Sequence, residues 1–247
     1  MSAKTQTDVE KFTGFGPGAL KFLRSLARNN RRDWFEVNKD RYEREVKHPL
    51  RILVEEVDAR LGEFAPEMVG NPKRSVFRIY RDVRFSKDKS PYKTNAAAWF
   101  YHRDAGHAVG TQAAHGGAGF YFQIAPKECI VAGGIWMPPT AALKTIREAI
   151  ADDPDALRGI LKQPAFKRSF SALSEEALLK RTPRGFDADH PAADLLRYKS
   201  FTVHRDLTER EILSAKLPDI VAKHFATMLP FVRWFNRVLG LPPHSRR

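Results

Sequence analysis

The residue types most able to do chemistry in this chain are concentrated in one segment, residues 73–93 (KRSVFRIYRDVRFSKDKSPYK). These 21 positions hold eight basic and two acidic side chains, with aromatic residues between them. A planar guanidinium donates two parallel hydrogen bonds to a phosphate or carboxylate, which an ammonium group cannot do. The pattern therefore predicts an anion-binding site. Its candidate residues are Arg78, Arg81, Arg84, Lys89, Tyr92 and Lys93.

The order of residues within the segment predicts how these side chains are oriented. Residues 75–85 have the period-two pattern of a β-strand, in which successive side chains point to opposite faces. The side chains that would share one face are Arg78, Tyr80, Asp82 and Arg84. The other face would be apolar except for Arg81, and an unpaired buried guanidinium is costly. We therefore expect Arg81 to meet a carboxylate, or a β-bulge near Tyr80 to turn the strand.

Three functions are compatible with this segment. In the first, the strand and the following loop bind a phosphate-bearing ligand or nucleic acid, and the rings of Tyr80 and Tyr92 stack on bases. In the second, the chain is a metal-independent enzyme acting on a small anionic substrate, with Asp82, Asp88 and Lys89 as candidate catalytic residues. In the third, arginine–aspartate pairs only fix the strand and loop to neighbouring helices. An open basic strip would favour the first function, and a closed pocket around a carboxyl group of raised pKa would favour the second.

Other types of functional site have little support. His102, His107, His115 and Cys129 lack the short fixed spacing of zinc ligands, so we predict no metal site and no cofactor. The glycine-rich residues 14–18 do not follow a predicted strand, as a dinucleotide-binding loop would. The chain contains neither a P-loop motif nor the G-x-S-x-G motif of serine hydrolases.

The composition of the chain indicates its class of partner. The 247 residues include 42 Lys and Arg against 29 Asp and Glu, a net charge of +13. Such an excess favours polyanions, including nucleic acid, acidic lipid surfaces and phosphorylated small molecules. The single cysteine excludes an intrachain disulfide. No apolar segment is long enough to predict a membrane span, and the first residues do not resemble a signal peptide, so we expect a cytoplasmic protein whose protein partners are unknown.

The central segment also resembles a family signature. The pattern R-x-x-R-D-x-R-F followed by D-K-x-P-Y-K is similar to that of the conserved bacterial and fungal proteins grouped as domain-of-unknown-function family 2461. The matching positions are Arg78, Arg81, Asp82, Arg84, Phe85, Asp88, Lys89, Pro91, Tyr92 and Lys93. The resemblance extends over about residues 12–239 and includes residues 29–42, 133–138 and 190–199. It implies no particular activity, substrate or cofactor, because none is established for the family.

The elements that must position this segment follow from the hydrophobic pattern. Helical spacing is present in residues 20–30, 34–47, 49–62, 140–150, 154–161 and 218–239, and a short helix is predicted at 174–179. Asp33 with Glu36 and Thr208 with Glu211 have the spacing of capping boxes. Strands are predicted at 75–85, 92–101, 119–124, 129–136 and 199–204, and a loop at 106–117.

The order of these elements predicts the fold class. Helices come first, then a run of strands, then helices again, which is typical of an α+β protein with a mainly antiparallel sheet. We expect about five strands flanked by N-terminal and C-terminal helices. Residues 12–240 would form one domain, and residues 1–11 and 241–247 would be flexible tails.

Overall fold

A five-stranded antiparallel sheet organises the molecule. The computed structural model describes residues 10–84, 87–109 and 116–243. The strands are β1 (Met68–Val69), β2 (Ala96–His102), β3 (Gly119–Ile124), β4 (Ile130–Ile135) and β5 (Phe201–Asp206). They lie side by side in chain order, and each is antiparallel to the next.

Helices precede and follow the strands. Before the sheet come α1 (Pro17–Arg28), α2 (Arg32–Val37), α3 (Lys39–Tyr42), a π-helix (Glu43–Lys47) and α4 (His48–Phe64). After β4 come α5 (Thr140–Asp152), α6 (Pro154–Lys162), α7 (Pro164–Ser169) and α8 (Ala193–Leu196), and after β5 come α9 (Glu209–Ile212) and α10 (Leu217–Val238). The predicted α+β class is confirmed, since helices precede and follow the antiparallel sheet along the chain.

One face of the sheet forms the core with α10. The apolar residues of α10 recur at helical spacing, so that one side of the helix is buried. The ring of Phe225 lies 4.6 Å from that of Phe120 and 5.2 Å from that of Phe100, centroid to centroid. The opposite face carries a row of cross-strand neighbours, Trp99, Tyr121, Ala132 and His204. That second face is the floor of a large cavity.

The helical segment from α3 through α4 contains one wide turn. Pro49 lacks an N–H, and in a regular α-helix its ring would collide with the carbonyl four residues earlier. The π-helix lies immediately before it, and the N–H of His48 donates to the carbonyl of Glu43. The wider turn accommodates Pro49 and changes which side chains face the centre of the molecule.

Several local predictions can be compared with the structure. The Thr208–Glu211 capping box is confirmed. The Asp33–Glu36 capping box is wrong, because Arg31 precedes α2 and no side chain caps it. Helix α4 continues past Gly62 to Phe64.

The predicted helix at 174–179 is also wrong, because its backbone groups bond elsewhere. The N–H of Ser174 donates to Thr202 of β5 at 2.9 Å, and that of Leu179 donates to Arg197 at 2.9 Å. These long-range bonds hold the segment against β5 and the residues before it.

Some predictions fall on residues that the structure does not describe. Residues 1–9 and 244–247, which belong to the predicted tails, lie outside the described residues, as do residues 110–115 of the predicted loop. Within the described ranges, no helix combines the length and the apolar character that a membrane span requires.

Candidate functional site

The described part of the predicted strand, residues 75–84, does not form a continuous strand. Two isolated bridges replace it, one between Val76 and Ala98 and one between Tyr80 and Tyr92. Three residues separate Val76 from Tyr80, whereas five separate Tyr92 from Ala98, so the pairing is interrupted by extra residues on the second side. This is a bulge of residues 94–96, which lie opposite Arg78, because the N–H of Lys93 donates to Ile79 and that of Phe77 donates to Ala97. Phe85 and Ser86 lie outside the described residues.

The predicted alternation of side chains is nevertheless present. The exposed side chains are Arg78, Tyr80, Asp82 and Arg84, as predicted for one face. Ile79 is buried and Arg81 is half-buried on the other face. Arg81 forms an ion pair with Asp88, which provides the carboxylate that a guanidinium on the inner face requires.

The loop of residues 81–90 is held by its own polar contacts. Arg84 donates to the Asp82 carboxylate from Nη2 at 2.7 Å and from Nε at 3.0 Å. Lys89 Nζ donates to the carbonyl oxygen of Val83 at 3.0 Å. Together with the Arg81 ion pair, these contacts match the arginine–aspartate network of the third function.

The two aspartates of this loop have lowered pKa values. Hydrogen bonds from Arg84 lower the pKa of Asp82 to about 2. Hydrogen bonds from Ser90, with a smaller contribution from Arg81, lower the pKa of Asp88. Both carboxylates are therefore ionised at neutral pH, and neither has the raised pKa that distinguishes a general acid or base.

Tyr92 is part of the core. Its side chain is 1% exposed, and its ring stacks on Phe35 with centroids 4.2 Å apart. Its backbone is held by Asn30, whose Nδ2 donates to the Tyr92 carbonyl at 2.8 Å and whose Oδ1 accepts from the Tyr92 N–H at 3.0 Å. The Tyr92 ring thus packs against the protein itself and is not exposed for the predicted stacking on a base. Tyr80, the other tyrosine for which stacking was predicted, is 48% exposed.

The first residues of the segment form one wall of a small cleft, which we call the basic cleft. Its volume is about 220 Å³. The cationic side chains that line it are Lys39, Lys47, Arg51, Lys73 and Arg78. The single carboxylate in its lining, that of Glu43, accepts from Lys47 Nζ at 2.7 Å. The other four cations form no ion pair with any residue that the structure describes.

Two pieces of local structure bring these cations together. Glu43, Lys47 and Arg51 follow one another at intervals of four across the π turn and face the same side. Lys73 lies in a turn fixed by Asn71, whose Oδ1 accepts from the Lys73 N–H at 2.9 Å. Arg51 Nε is buried and has no hydrogen-bond partner among the residues that the structure describes.

A second and larger cavity lies over the open face of the sheet, and we call it the sheet-face cavity. Its volume is about 960 Å³. The aromatic residues of its lining are Phe77, Trp99, Tyr121 and Trp136, and its cations are Arg81 and Lys93. Phe77 lines both this cavity and the basic cleft.

Lys93 is a half-buried cation of the segment. Its Nζ lies 5.2 Å from the centroid of the Phe77 ring, and it forms no ion pair with a described residue. Burial, and then the charges of Arg78 and Arg81, lower its pKa. The predicted anion-binding residues therefore lie in four different places. Arg78 lines the basic cleft, and Arg81 and Lys93 line the sheet-face cavity. Arg84 and Lys89 lie in the loop, and Tyr92 lies in the core.

The sequence patterns did not identify several lining residues of the two cavities. Three of these residues, Lys39, Lys47 and Arg51, lie on helices. The sequence feature that could have identified them is their spacing on one helical face. Trp99 and Tyr121 lie on predicted strands, but their shared row depends on the strand register. In the described part of the chain, no three His, Cys, Asp or Glu side chains are placed to hold a metal ion.

Comparison with known proteins gives one match. A family model described as "Conserved hypothetical protein (DUF2461)" matches residues 18–234. No curated protein and no solved structure matches the chain.

Proposed function

The chain belongs to the DUF2461 family of conserved hypothetical proteins, and because that description names no activity, we propose from its geometry that it binds a phosphate-bearing ligand in the basic cleft. The observation that carries the proposal is the set of four cations, Lys39, Arg51, Lys73 and Arg78, which line one small cleft without an ion pair among the described residues.

The arrangement of charge supports a bound anion. Like charges around one cleft repel each other, and a bound anion relieves the repulsion more effectively than water because a protein surface screens charge less than bulk solvent does. Elsewhere near the core, arginines form ion pairs with carboxylates of the protein. Arg233 pairs with Glu67, and Arg205 pairs with Glu211. The cations of the basic cleft thus have the pattern of residues that pair with something other than the protein.

The hydrogen-bonding groups favour phosphate among anions. Arg51 and Arg78 contribute guanidiniums, and Lys39 and Lys73 contribute ammonium groups, so the cleft offers donors from several directions. Phosphate accepts from many donors at once, and guanidiniums bind it bidentately. The guanidinium of Arg51 has no carboxylate partner among the described residues, so its charge is available to an anion in the cleft.

The volume of the cleft and the tyrosine ring at its edge indicate what size and shape of ligand the cleft can bind. A volume of about 220 Å³ is below the range typical of sites that enclose a whole drug-sized ligand. The cleft is therefore suited to one or two phosphate groups, with the rest of the ligand outside. Tyr80 also lines the cleft and is 48% exposed, so its ring is available to stack on a base or another planar group.

Binding is better supported than catalysis at this cleft. Its single carboxylate is paired with Lys47, and the candidate catalytic residues Asp82, Asp88 and Lys89 do not line it. No group with the properties of a general base faces the position of the anion. The first of the three functions is accordingly the one we propose.

The test is calorimetric titration of the full chain with pyrophosphate and, separately, with an oligothymidine that has no terminal phosphates. Arg51→Gln and Arg78→Gln remove charge from the cleft, and Arg44→Gln is a matched control on the π-helix that does not line it. Circular dichroism establishes that each variant is folded. We expect binding that weakens with salt, about tenfold or more in each cleft variant, and little in the control.

The two probes separate the sources of phosphate. Tight binding of pyrophosphate indicates a small phosphorylated ligand, and preferential binding of the oligonucleotide indicates a nucleic-acid backbone. If neither probe binds, or if the folded cleft variants bind as strongly as the wild-type protein, the proposal is wrong.

A further inference from the structure

The sheet-face cavity is too large and too apolar to belong to the phosphate site. At about 960 Å³ it lies near the upper end of the range for small-molecule sites. Its floor is the row of side chains on the open face, where Ala97 and Gly134 leave space between larger residues. Gly134 has a φ of +122°, a conformation that residues with a side chain rarely adopt.

Aromatic residues line this cavity on several sides. Phe77 and Tyr121 lie with their ring centroids 6.2 Å apart, and Trp99 is the cross-strand neighbour of Tyr121. Trp136 is 50% exposed, which is unusual for so large an apolar surface unless something covers it. Flat walls of this kind favour a planar or aromatic ligand body.

The backbone next to Trp136 is strained. Met137 has a φ of +44°, the only positive φ among the described non-glycine residues. Its N–H donates to the buried hydroxyl of Ser200 at 2.9 Å, which holds this conformation. Strain of this kind is retained where a side chain must be held in one place, and here it holds the chain at Trp136.

The charged side chains in the described lining of the cavity are Arg81, Lys93 and Glu176, and Glu176 forms an ion pair with neither cation. Tyr121 Oη and Asn95 Nδ2 both donate to Gln123 Oε1, at 2.8 and 2.7 Å, so these groups are already engaged. Lys93 has no carboxylate partner among the described residues, and Arg81 beside it is paired with Asp88. One cation therefore remains unpaired, which suits a carboxylate better than a multiply charged phosphate.

One further donor has no partner. Trp99 is at least nine-tenths buried, and its Nε1 finds no acceptor among the described residues. Buried indole N–H groups usually have an acceptor in folded proteins.

We propose that the sheet-face cavity binds an aromatic carboxylic acid, whose ring lies among Trp99, Tyr121 and Trp136 and whose carboxylate pairs with Lys93 beside Arg81. This site is separate from the phosphate site and rests on different residues, so either proposal stands if the other fails. Because the carboxylate pairs with the protonated amine, affinity falls as pH rises through the pKa of Lys93. That pKa is lowered by burial and by Arg78 and Arg81, so the fall begins at lower pH than for an ordinary lysine.

The test uses three aromatic carboxylates, benzoate, 2-naphthoate and indole-3-acetate, and the neutral 2-naphthamide as a matched probe. Binding to the full chain is measured by calorimetry. The variants are Lys93→Met, which keeps most of the apolar stem, and Trp136→Ala, which removes an exposed ring and leaves the fold intact. Lys127→Met, at an exposed lysine in the turn between β3 and β4 that lines neither cavity, is the matched control for the loss of one lysine.

We expect at least one carboxylate to bind, and 2-naphthoate to bind about tenfold more tightly than its amide. Lys93→Met should abolish that preference, Trp136→Ala should weaken the binding of all probes, and Lys127→Met should change neither result. Pyrophosphate binding should be unaffected by Trp136→Ala, which distinguishes this site from the cleft. The proposal is overturned if no carboxylate binds, if the amide binds equally well, or if Lys93→Met retains the preference.

Discussion

Arg233 and Arg51 show two different uses of an arginine at the edge of the core. Arg233 Nε donates to Glu67 at 2.7 Å, and its Nη2 donates to Glu67 at 3.2 Å and to the Phe64 carbonyl at 3.1 Å. Arg51 has no carboxylate partner among the described residues and lines a cleft together with three further cations that lack one. The contrast teaches that positive charge in this chain is structural where a carboxylate meets it and is available to a ligand where none does.

Arg233→Ala should produce the largest loss of stability and so tests the structural half of the contrast. Glu67 is 1% exposed, and without Arg233 its charge would be buried and unpaired. We expect the free energy of unfolding to fall by about 3–5 kcal/mol, measured by urea denaturation. Arg237→Ala, on the same helix, is the control and should have a much smaller effect. Equal effects of the two variants would show that the Arg233–Glu67 pair is not structural.

Asn30→Ala should have the next largest effect, because Asn30 holds the residues that precede the bulge. Its side chain makes both a donor and an acceptor contact with the Tyr92 backbone, which becomes unsatisfied in the variant. We expect a loss of about 1–3 kcal/mol in thermal or urea unfolding. Asn29→Ala removes a single contact, from Nδ2 to the Ser25 carbonyl, and should cost less. A larger effect at Asn29 would contradict this role of Asn30.

Lys73→Gln and Arg78→Gln should leave stability unchanged within about 0.5 kcal/mol, because neither cation forms an ion pair with a carboxylate of the described residues. Pyrophosphate should raise the melting temperature of the wild-type protein and raise that of the variants less, since only the folded cleft binds it. The measurement is thermal denaturation with and without pyrophosphate. A large destabilisation of either variant in the absence of ligand would place these cations with the structural group.

Asp82→Asn should have the smallest effect on stability, because the Asp82–Arg84 pair is exposed and held within its own loop.

The Asp82–Arg84 pair is better detected by titration of the Asp82 carboxyl group. The pKa of Asp82 is lowered to about 2, so any contribution of the ionised form is present at neutral pH and is lost as pH falls through that value. Carboxyl NMR should show this pKa rise toward its ordinary value in Arg84→Gln. An unchanged pKa in that variant would mean that the pair does not form in solution.

The sequence was most informative where the determining interactions are local. The α+β class, strand β3 and the Thr208–Glu211 capping box follow from patterns within a few neighbouring residues. The exposed and inner faces of residues 78–84 were also predictable, because alternation persists without a complete strand. The arginine-rich segment was correctly singled out as unusual in charge, although its function stays a prediction.

The features that the sequence did not predict depend on contacts between residues that are distant in the chain. The bulge that follows Lys93 results from how residues 76–80 pair with residues 92–98, and no local pattern fixes that register. The basic cleft joins Arg51 of α4 to Arg78, and the π turn before Pro49 decides which side chains of that helix face it. Spacing along the chain cannot show which distant cations share a cavity.

Phe77 gives the two proposed sites a common boundary. Its ring lines the basic cleft on one side and the sheet-face cavity on the other, and Lys93 Nζ lies over it. A ligand that displaces this ring enlarges one compartment at the expense of the other. Occupancy of the two compartments is then thermodynamically linked, and by reciprocity each ligand must change the other's affinity by the same factor.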